Sequence, residues 1–114
     1  MNKKDYISLA NKAANLQISE LKKIKKVFNS SFVQAVDLIL NCKGKVICAG
    51  IGKSGIIARK ISATFSSVGI PSFFCDPAQA LHGDMGQIER KDILVVFSYS
   101  GNTSELVNMV VNNA

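Results

Sequence analysis

The 114-residue chain lacks long apolar runs: none approaches the ~18 consecutive apolar residues that a bilayer-spanning helix needs. No apolar stretch follows the lysines near its start, so a secretory signal is not expected. At 12.3 kDa the chain has room for one small domain at most. No internal repeat or linker-like segment divides it. We therefore expect a cytoplasmic globular protein that does not act in a membrane.

Paired cysteines are also missing. The three cysteines are odd in number and form no C-x-x-C pair, which argues against a disulfide framework and against a zinc site. Cys48 and Cys75 lie in strand-like apolar runs and are expected to be small core residues. The sequence thus predicts neither a metal site nor a bound cofactor.

Acidic residues are scarce at one end of the chain. Residues 1–28 carry seven lysines against Asp5 and Glu20, and so hold most of the formal net charge of +6. The lysines at 22, 23, 25 and 26 flank apolar positions at helical spacing, without interleaved aromatic residues. A solvated helix face explains this pattern better than docking on nucleic acid or an acidic membrane. We expect neither of these partners.

The N-terminal part of the chain shows helical periodicity. Apolar residues recur every three or four positions over 4–28, which predicts a long amphipathic helix. Residues 29–31 form an N-cap cluster for a second helix. Its predicted buried face consists of Phe32, Ala35, Val36, Ile39 and Leu40. Gly44 is expected to follow that helix as its C′ residue.

The periodicity then changes to an α/β pattern. Short apolar runs predict strands at 46–49, 71–75 and 93–97, and the last is apolar on both faces, as a central parallel strand should be. Helices are expected at 54–68, from the Asp76 cap to about 81, and at 103–111. This order favours a parallel sheet with right-handed crossovers and strand order 2-1-3.

The first strand runs into a glycine loop. Gly50, Gly52 and Gly55 fit G-x-G-x-x-G, and Asp76 lies at the end of the next strand, which together resemble a dinucleotide-binding fingerprint. A Walker A loop is excluded because it would need glycine where Ile47 stands. The glycines could equally serve only the geometry of a tight turn. The pattern alone leaves both interpretations open.

The third strand runs into a loop rich in hydroxyl groups. Four hydroxyl side chains surround Gly101 where a helix should begin: Ser98, Ser100, Thr103 and Ser104. Together with the unsatisfied N–H groups of a helix start, they suit the acceptor oxygens of a phosphate monoester. One or two of them could be simple N-caps, but four exceed what capping needs. The loop therefore predicts phosphate binding.

Several segments together resemble the SIS (sugar isomerase) domain, and within it the arabinose-5-phosphate isomerase family of the KpsF/GutQ type. The matching segments are Cys-Lys-Gly-Lys-Val at 42–46, Gly-Ile-Gly-Lys-Ser-Gly at 50–55, Ala-Arg-Lys at 58–60, Ala-Thr-Phe-Ser-Ser at 63–67, Gly-Ile-Pro-Ser-Phe-Phe at 69–74, Ala-Leu-His-Gly-Asp at 80–84 and Phe-Ser-Tyr-Ser-Gly-Asn-Thr-Ser-Glu at 97–105. This series is more specific than the degenerate G-x-G-x-x-G pattern, so the dinucleotide interpretation is set aside.

The resemblance implies a three-layer α/β sandwich with a parallel sheet in flavodoxin-like order, incomplete here and preceded by two helices. The implied organisation is a basic amphipathic segment at 1–31 and the N-terminal portion of an SIS domain at 32–114. Lys53, His82 and Glu105 fall on family active-site positions, and the hydroxyl set on the phosphate-binding positions. Each has a simpler alternative: Glu105 could be a helix-dipole partner, His82 a loop hydrogen-bonding residue and Lys53 an exposed helix-start residue.

In members of that family the SIS domain extends for about as many residues beyond the region matched here. That later part carries two further catalytic groups of the family, a glutamate and a histidine. The resemblance therefore implies a sugar phosphate as ligand, and either a homo-oligomer or a complementary C-terminal chain as partner. From the missing neighbour of the third strand we expect a marginally stable, association-prone chain and a poor isomerase. An inactive remnant or a regulatory sugar-phosphate-binding module is the alternative function.

Overall fold

The structure, a computed structural model, describes residues 2–80 and 84–99. The chain divides into two compact units, Met1–Asp37 and Leu38–Ala114. The domain boundary expected after residue 31 stays a prediction. The helix expected at 103–111 lies outside the described residues.

Helix α1, Lys3–Lys23, confirms the long helix that the periodicity predicts. It begins with a capping box, in which Asn2 Oδ1 accepts from the Asp5 amide at 3.1 Å and Asp5 Oδ2 accepts from the Asn2 amide at 2.9 Å. The helix tightens into a 3₁₀ turn at Ile24–Val27. Its apolar stripe is exposed in the described structure, with Ile7 64% and Leu21 67% accessible.

Helix α2, Ser30–Leu40, begins where the cap cluster predicts, because Asn29 Oδ1 accepts from the Ser31 amide at 3.1 Å. The prediction of a buried face was wrong. None of its residues is buried, and Phe32 and Leu40 are 45% and 69% exposed. The helical spacing correctly identified an apolar face, but among the described residues only Ile39 of that face packs onto a core cluster.

Three parallel strands form the sheet: β1, Val46–Gly50; β2, Ser72–Cys75; and β3, Ile93–Phe97. Their order is β2-β1-β3, as the sequence predicts. The register pairs Cys48 with Phe74 on one side and Gly50 with Phe97 on the other. The expected order already placed β3, the strand apolar on both faces, at an edge of these three strands. Within the described sheet the central, fully buried strand is β1, whereas β3 is half-buried.

The core has two sides because successive side chains of β1 point to opposite faces. Val46 and Cys48 pack with Ala58 of helix α3, Lys53–Ser67, which follows β1. Ile47 and Ala49 pack with Cys75 on the opposite face. A short helix α4, Pro77–Ala80, follows β2, and Asp76 Oδ1 caps it by accepting from the Ala78 amide at 2.9 Å. The core roles predicted for Cys48 and Cys75 are confirmed.

A buried carboxylate, that of Asp92, links the start of β1 to the start of β3 through hydrogen bonds. Asp92, whose side chain is fully buried, accepts from the Lys45 amide at 2.7 Å and from the Glu89 amide at 2.8 Å. The Lys45 ammonium lies 3.5 Å from its second oxygen. Burial alone would raise the pKa of Asp92, but these donors and the Lys45 charge outweigh it, so the pKa of this carboxyl lies below its usual value.

The Asp92 carboxylate lies so close to residue 44 that only glycine fits there. The prediction that it is the C′ residue of α2 was wrong, because α2 ends at Leu40. A Cβ on Gly44 would collide with Asp92 Oδ1 and lie 2.8 Å from the Lys91 side chain. Glycine is needed here for close approach across the sheet edge rather than for helix termination.

Candidate functional site

The carboxyl ends of β1 and β3 lie side by side. Gly50, the last residue of β1, pairs with Phe97, the last residue of β3, so Ser98 follows directly beside the glycine loop. The chain leaves β1 towards β2 on one side and returns in β3 on the other. Such a change of direction opens a crevice at the carboxyl edge of a parallel sheet, where ligands bind in this class of fold.

Backbone geometry accounts for the three loop glycines. A Cβ on Gly55 would lie 2.6 Å from the Gly50 carbonyl oxygen, and one on Gly50 would lie 2.8 Å from the Ser54 carbonyl. Gly52 has φ +61°, a conformation that side chains with a Cβ rarely adopt. The loop is thus a tight strand-to-helix turn, which the sequence left open as one interpretation. Gly52 is exposed and nothing lies within 4 Å of its Cβ position, so its backbone can approach a ligand.

The start of α3 exposes hydrogen-bond donors at this edge. Gly52 is its N-cap and supplies no side-chain acceptor. Lys53 is the first helical residue and its side chain is exposed. A positive side chain at the positive end of a helix dipole favours a bound anion.

An open pocket of about 180 Å³ lies beside the glycine loop. It is lined by Gly50, Ile51, Gly52, Gly55, Ile56, Arg59, Phe74 and Asp76. The Arg59 guanidinium stacks over the Phe74 ring at 4.0 Å from its centroid, within the range of a cation–π interaction. Neither Arg59 nor Phe74 was predicted from the sequence to be a site residue. Helical spacing from Gly52 through Gly55 to Arg59, at i, i+3 and i+7, is the signal that could have placed Arg59 on this face.

The buried cysteine of β1 is not a reactive group. Desolvation by burial raises the pKa of the Cys48 thiol, and the nearby Ser72 hydroxyl offsets this only in part. Its sulfur lies 3.9 Å from Ser72 Oγ. A protonated thiol within the core suits packing rather than nucleophilic chemistry.

The predicted site residues divide into two groups. Gly50, Gly52, Gly55, Lys53 and Ser98 all lie at the carboxyl edge of the sheet. His82, Ser100, Gly101, Thr103, Ser104 and Glu105 lie outside the described residues. The catalytic and phosphate-binding roles of both groups stay predictions. Each helix in the described ranges, 2–80 and 84–99, is too short or too polar to span a bilayer.

Comparisons with known proteins agree with this architecture. GutQ of Escherichia coli K12, an arabinose 5-phosphate isomerase, is 48% identical over 91 residues, which cover 80% of this chain and 28% of that protein. A solved Escherichia coli CFT073 protein in complex with arabinose 5-phosphate is 39% identical, with a TM-score of 0.83 over 98% of this chain and 60% of that one. A Listeria monocytogenes protein described as a candidate sugar-phosphate isomerase is 30% identical, with a TM-score of 0.91 over 97% of this chain and 59% of that one.

This chain spans 28% of the length of GutQ and about three-fifths of either solved chain. The SIS domain matches residues 39–113, which hold the three described strands, the glycine loop and the hydroxyl-rich loop at 98–104. The α/β fold with a parallel sheet, predicted from the sequence, is that of the solved relatives. The chain therefore belongs to the SIS domain family.

Proposed function

We propose that this chain binds a sugar phosphate at the carboxyl edge of its sheet and serves the interconversion of arabinose 5-phosphate and ribulose 5-phosphate. The observation that carries the proposal is the pairing of Gly50 with Phe97, which sets the glycine loop beside the start of the hydroxyl loop. The similarity to GutQ and to the protein solved with arabinose 5-phosphate supports this choice of substrate.

In this proposal the phosphate is held by hydroxyl groups and helix-start amides. Ser98 begins the phosphate-binding set, and Ser100, Thr103 and Ser104 complete it around Gly101. Backbone and hydroxyl donors suit a phosphate monoester because its three terminal oxygens all accept hydrogen bonds. The phosphate then fixes the sugar chain relative to the glycine loop.

The proposed reaction moves a proton between two adjacent carbons. A base removes the proton from C2 of the aldose while the C1 carbonyl oxygen takes up a proton, which gives a cis-enediol. Protonation at C1, with loss of the proton from the C2 hydroxyl, then yields the ketose. Glu105 and His82 are the proposed proton carriers, since a carboxylate and an imidazole can both exchange protons near neutral pH. Lys53 would stabilise the negative charge that develops on the carbonyl oxygen.

Partners are part of the same proposal. The proposed partner is a second copy of this chain or a separate chain, as the family resemblance suggests. The exposed apolar stripe of α1, with Ile7 and Leu21 accessible, supports association of some kind. Light scattering coupled to gel filtration tests it: a strictly monomeric chain over a wide concentration range would contradict this part of the proposal.

The test of function separates binding from turnover. Phosphorus NMR of the purified chain with arabinose 5-phosphate measures binding, and a ketose assay on the same sample measures isomerisation. Unphosphorylated arabinose is the matched control and should not bind. Binding without turnover would favour a binding or regulatory module, whereas the absence of any binding would overturn the proposal.

A further inference from the structure

We propose that Arg59, held on the ring of Phe74, and Asp76 form a hydroxyl-recognition site that orients the sugar chain of the ligand. This inference rests on the proposed function and extends it to Arg59, Phe74 and Asp76, to which that function assigns no role. It makes Arg59 and Asp76 specificity determinants for the sugar part of the molecule, separate from the groups proposed to hold its phosphate.

The position of the pocket supports this division. Phe74 and Asp76 belong to β2 and to the residue that follows it, on one side of β1, whereas Ser98 follows β3 on the other side. Neighbouring strands lie about 4.8 Å apart, so the ends of β2 and β3 are separated by about 10 Å. The six bonds from C1 of an extended pentose phosphate to its phosphorus span about 7 Å, at ~3.6 Å per three bonds. Side chains that reach inward from both strand ends can therefore hold the two ends of one such molecule.

Arg59 is oriented but is not neutralised. Stacking on Phe74 at 4.0 Å fixes the plane of its guanidinium, which presents up to five donors in a rigid fork. Across the side chains that the structure describes, residues 2–78 and 86–99, no carboxylate forms a salt bridge with it. Its donors are thus available to a ligand in the pocket that it lines.

Asp76 supplies the complementary acceptor. Its Oδ1 accepts from the Ala78 amide at 2.9 Å, which fixes the carboxylate at the start of α4. The second oxygen, Oδ2, has no hydrogen bond to any residue in the described part of the chain. A sugar hydroxyl can both donate and accept a hydrogen bond, whereas a phosphate mainly accepts. A pocket that holds the Arg59 donor and the Asp76 acceptor therefore suits a sugar hydroxyl better than it suits a phosphate.

The size of the pocket agrees with a partial ligand. Its volume of about 180 Å³ is below the roughly 300–1,000 Å³ of pockets that enclose a whole drug-sized molecule. It nevertheless exceeds several times the ~30 Å³ that one water molecule occupies in the liquid. The pocket can therefore take a few hydroxyl-bearing carbons while the phosphate lies outside it.

The experiment compares two probes on matched variants. Arabinose 5-phosphate and inorganic phosphate are titrated separately into the unsubstituted chain, Arg59→Gln, Asp76→Asn and Phe74→Leu, with Lys60→Gln as the control for charge. Asn keeps the Asp76 cap because its side-chain oxygen still accepts from the Ala78 amide. Lys60 is the exposed neighbour of Arg59 on α3 and does not line the pocket.

We expect Arg59→Gln to weaken arabinose 5-phosphate binding by about tenfold or more, as the loss of a charged hydrogen bond does. Its affinity for inorganic phosphate should stay within about twofold, because the two sites are separate. Asp76→Asn and Phe74→Leu should weaken arabinose 5-phosphate binding by a smaller factor, again with little change in the affinity for inorganic phosphate. Lys60→Gln should leave both affinities within about twofold.

Four results would count against the inference. Unchanged arabinose 5-phosphate affinity in Arg59→Gln overturns it while the proposed function stands. An equal loss for both probes assigns Arg59 to the phosphate and overturns the hydroxyl role. No binding of arabinose 5-phosphate by the unsubstituted chain overturns both proposals. If Arg59→Gln lowers the melting temperature, Arg59→Lys is used in its place. This variant keeps the positive charge but loses the planar donor fork of the guanidinium. If the ratio of its affinities for arabinose 5-phosphate and inorganic phosphate equals that of the unsubstituted chain, the inference is overturned.

Discussion

Gly55 and Gly50 face each other so closely that a Cβ on Gly55 would lie 2.6 Å from the Gly50 carbonyl oxygen. The atom in the way is backbone, in a fully buried strand, and cannot rotate aside as a flexible side chain would. This contact sets the distance between the end of β1 and the first turn of α3, and hence the shape of the glycine loop.

We predict that Gly55→Ala lowers the free energy of unfolding by about 1–2 kcal/mol. Overpacking against backbone costs about 1–3 kcal/mol, and the better helix propensity of alanine offsets part of it by up to ~1 kcal/mol. Urea denaturation of the two proteins measures the difference. Gly86→Ala is the control, because nothing lies within 4 Å of its Cβ position, and it should change stability by less than about 0.5 kcal/mol. Equal effects of the two substitutions would contradict this account.

Local patterns made most of the sheet predictable. The apolar runs located all three strands to within a residue at either end, and the crossover rule gave the order β2-β1-β3. The caps at Asn29 and Asp76 were also predictable, because a cap and the amides it binds lie within three residues of each other. These features depend on short-range chemistry that the sequence displays directly.

Long-range contacts were not predictable in the same way. Arg59 meets Phe74 only because α3 folds back over β1 and β2, and Lys45 meets Asp92 across the β1–β3 pairing. Gly44 was misassigned for the same reason, since its neighbour in space is Asp92 rather than the end of α2. Periodicity also identifies an apolar face without saying what covers it, which is how Phe32 came to be expected in the core.

The Asp92 carboxylate should make stability depend on acid pH. Its pKa is lowered in the folded chain, so below about pH 4 the unfolded chain binds more protons and stability falls. Above about pH 5 the contribution is fully present. We predict that the thermal midpoint drops as the pH falls below about 5 and that Asp92→Asn flattens this acid-dependent part. At neutral pH the same variant should lose about 1–3 kcal/mol, because an amide cannot accept from both the Lys45 and the Glu89 N–H groups.

The variant Lys45→Met separates the contribution of the Lys45 charge from that of the backbone hydrogen bonds to Asp92. It removes the ammonium 3.5 Å from Asp92 and keeps the Lys45 amide that donates to the carboxylate. We expect a smaller loss of stability at neutral pH than in Asp92→Asn, with part of the acid dependence retained. An acid limb of equal steepness in Asp92→Asn and the unsubstituted chain would show that another carboxylate is responsible.

The cysteines should differ in their reactivity towards iodoacetamide under native conditions. Cys48 is buried and burial raises its pKa, and Cys75 is also buried, whereas Cys42 is partly accessible. We predict that Cys42 is alkylated first and that Cys48 and Cys75 react only at the rate at which the sheet opens. Peptide mass spectrometry after timed labelling measures the order. Labelling in urea is the control, since all three thiols should then react at similar rates; early labelling of Cys48 without urea would contradict its place in the core.

Lys53 should affect the chemical step more than the binding of phosphate. It stands at the first position of α3, next to Gly52, with an exposed side chain that can reach over the end of the sheet. If its ammonium stabilises the oxyanion of the enediol, Lys53→Gln should lower the isomerisation rate by about a hundredfold or more. The affinity for inorganic phosphate should change by less than about threefold, because one surface charge at a distance is largely screened by salt. Lys60→Gln, with the same change of charge further along the helix, should leave the rate unaltered. A retained rate in Lys53→Gln would place the oxyanion donor elsewhere, and an equal loss in both variants would mean that net charge alone governs turnover.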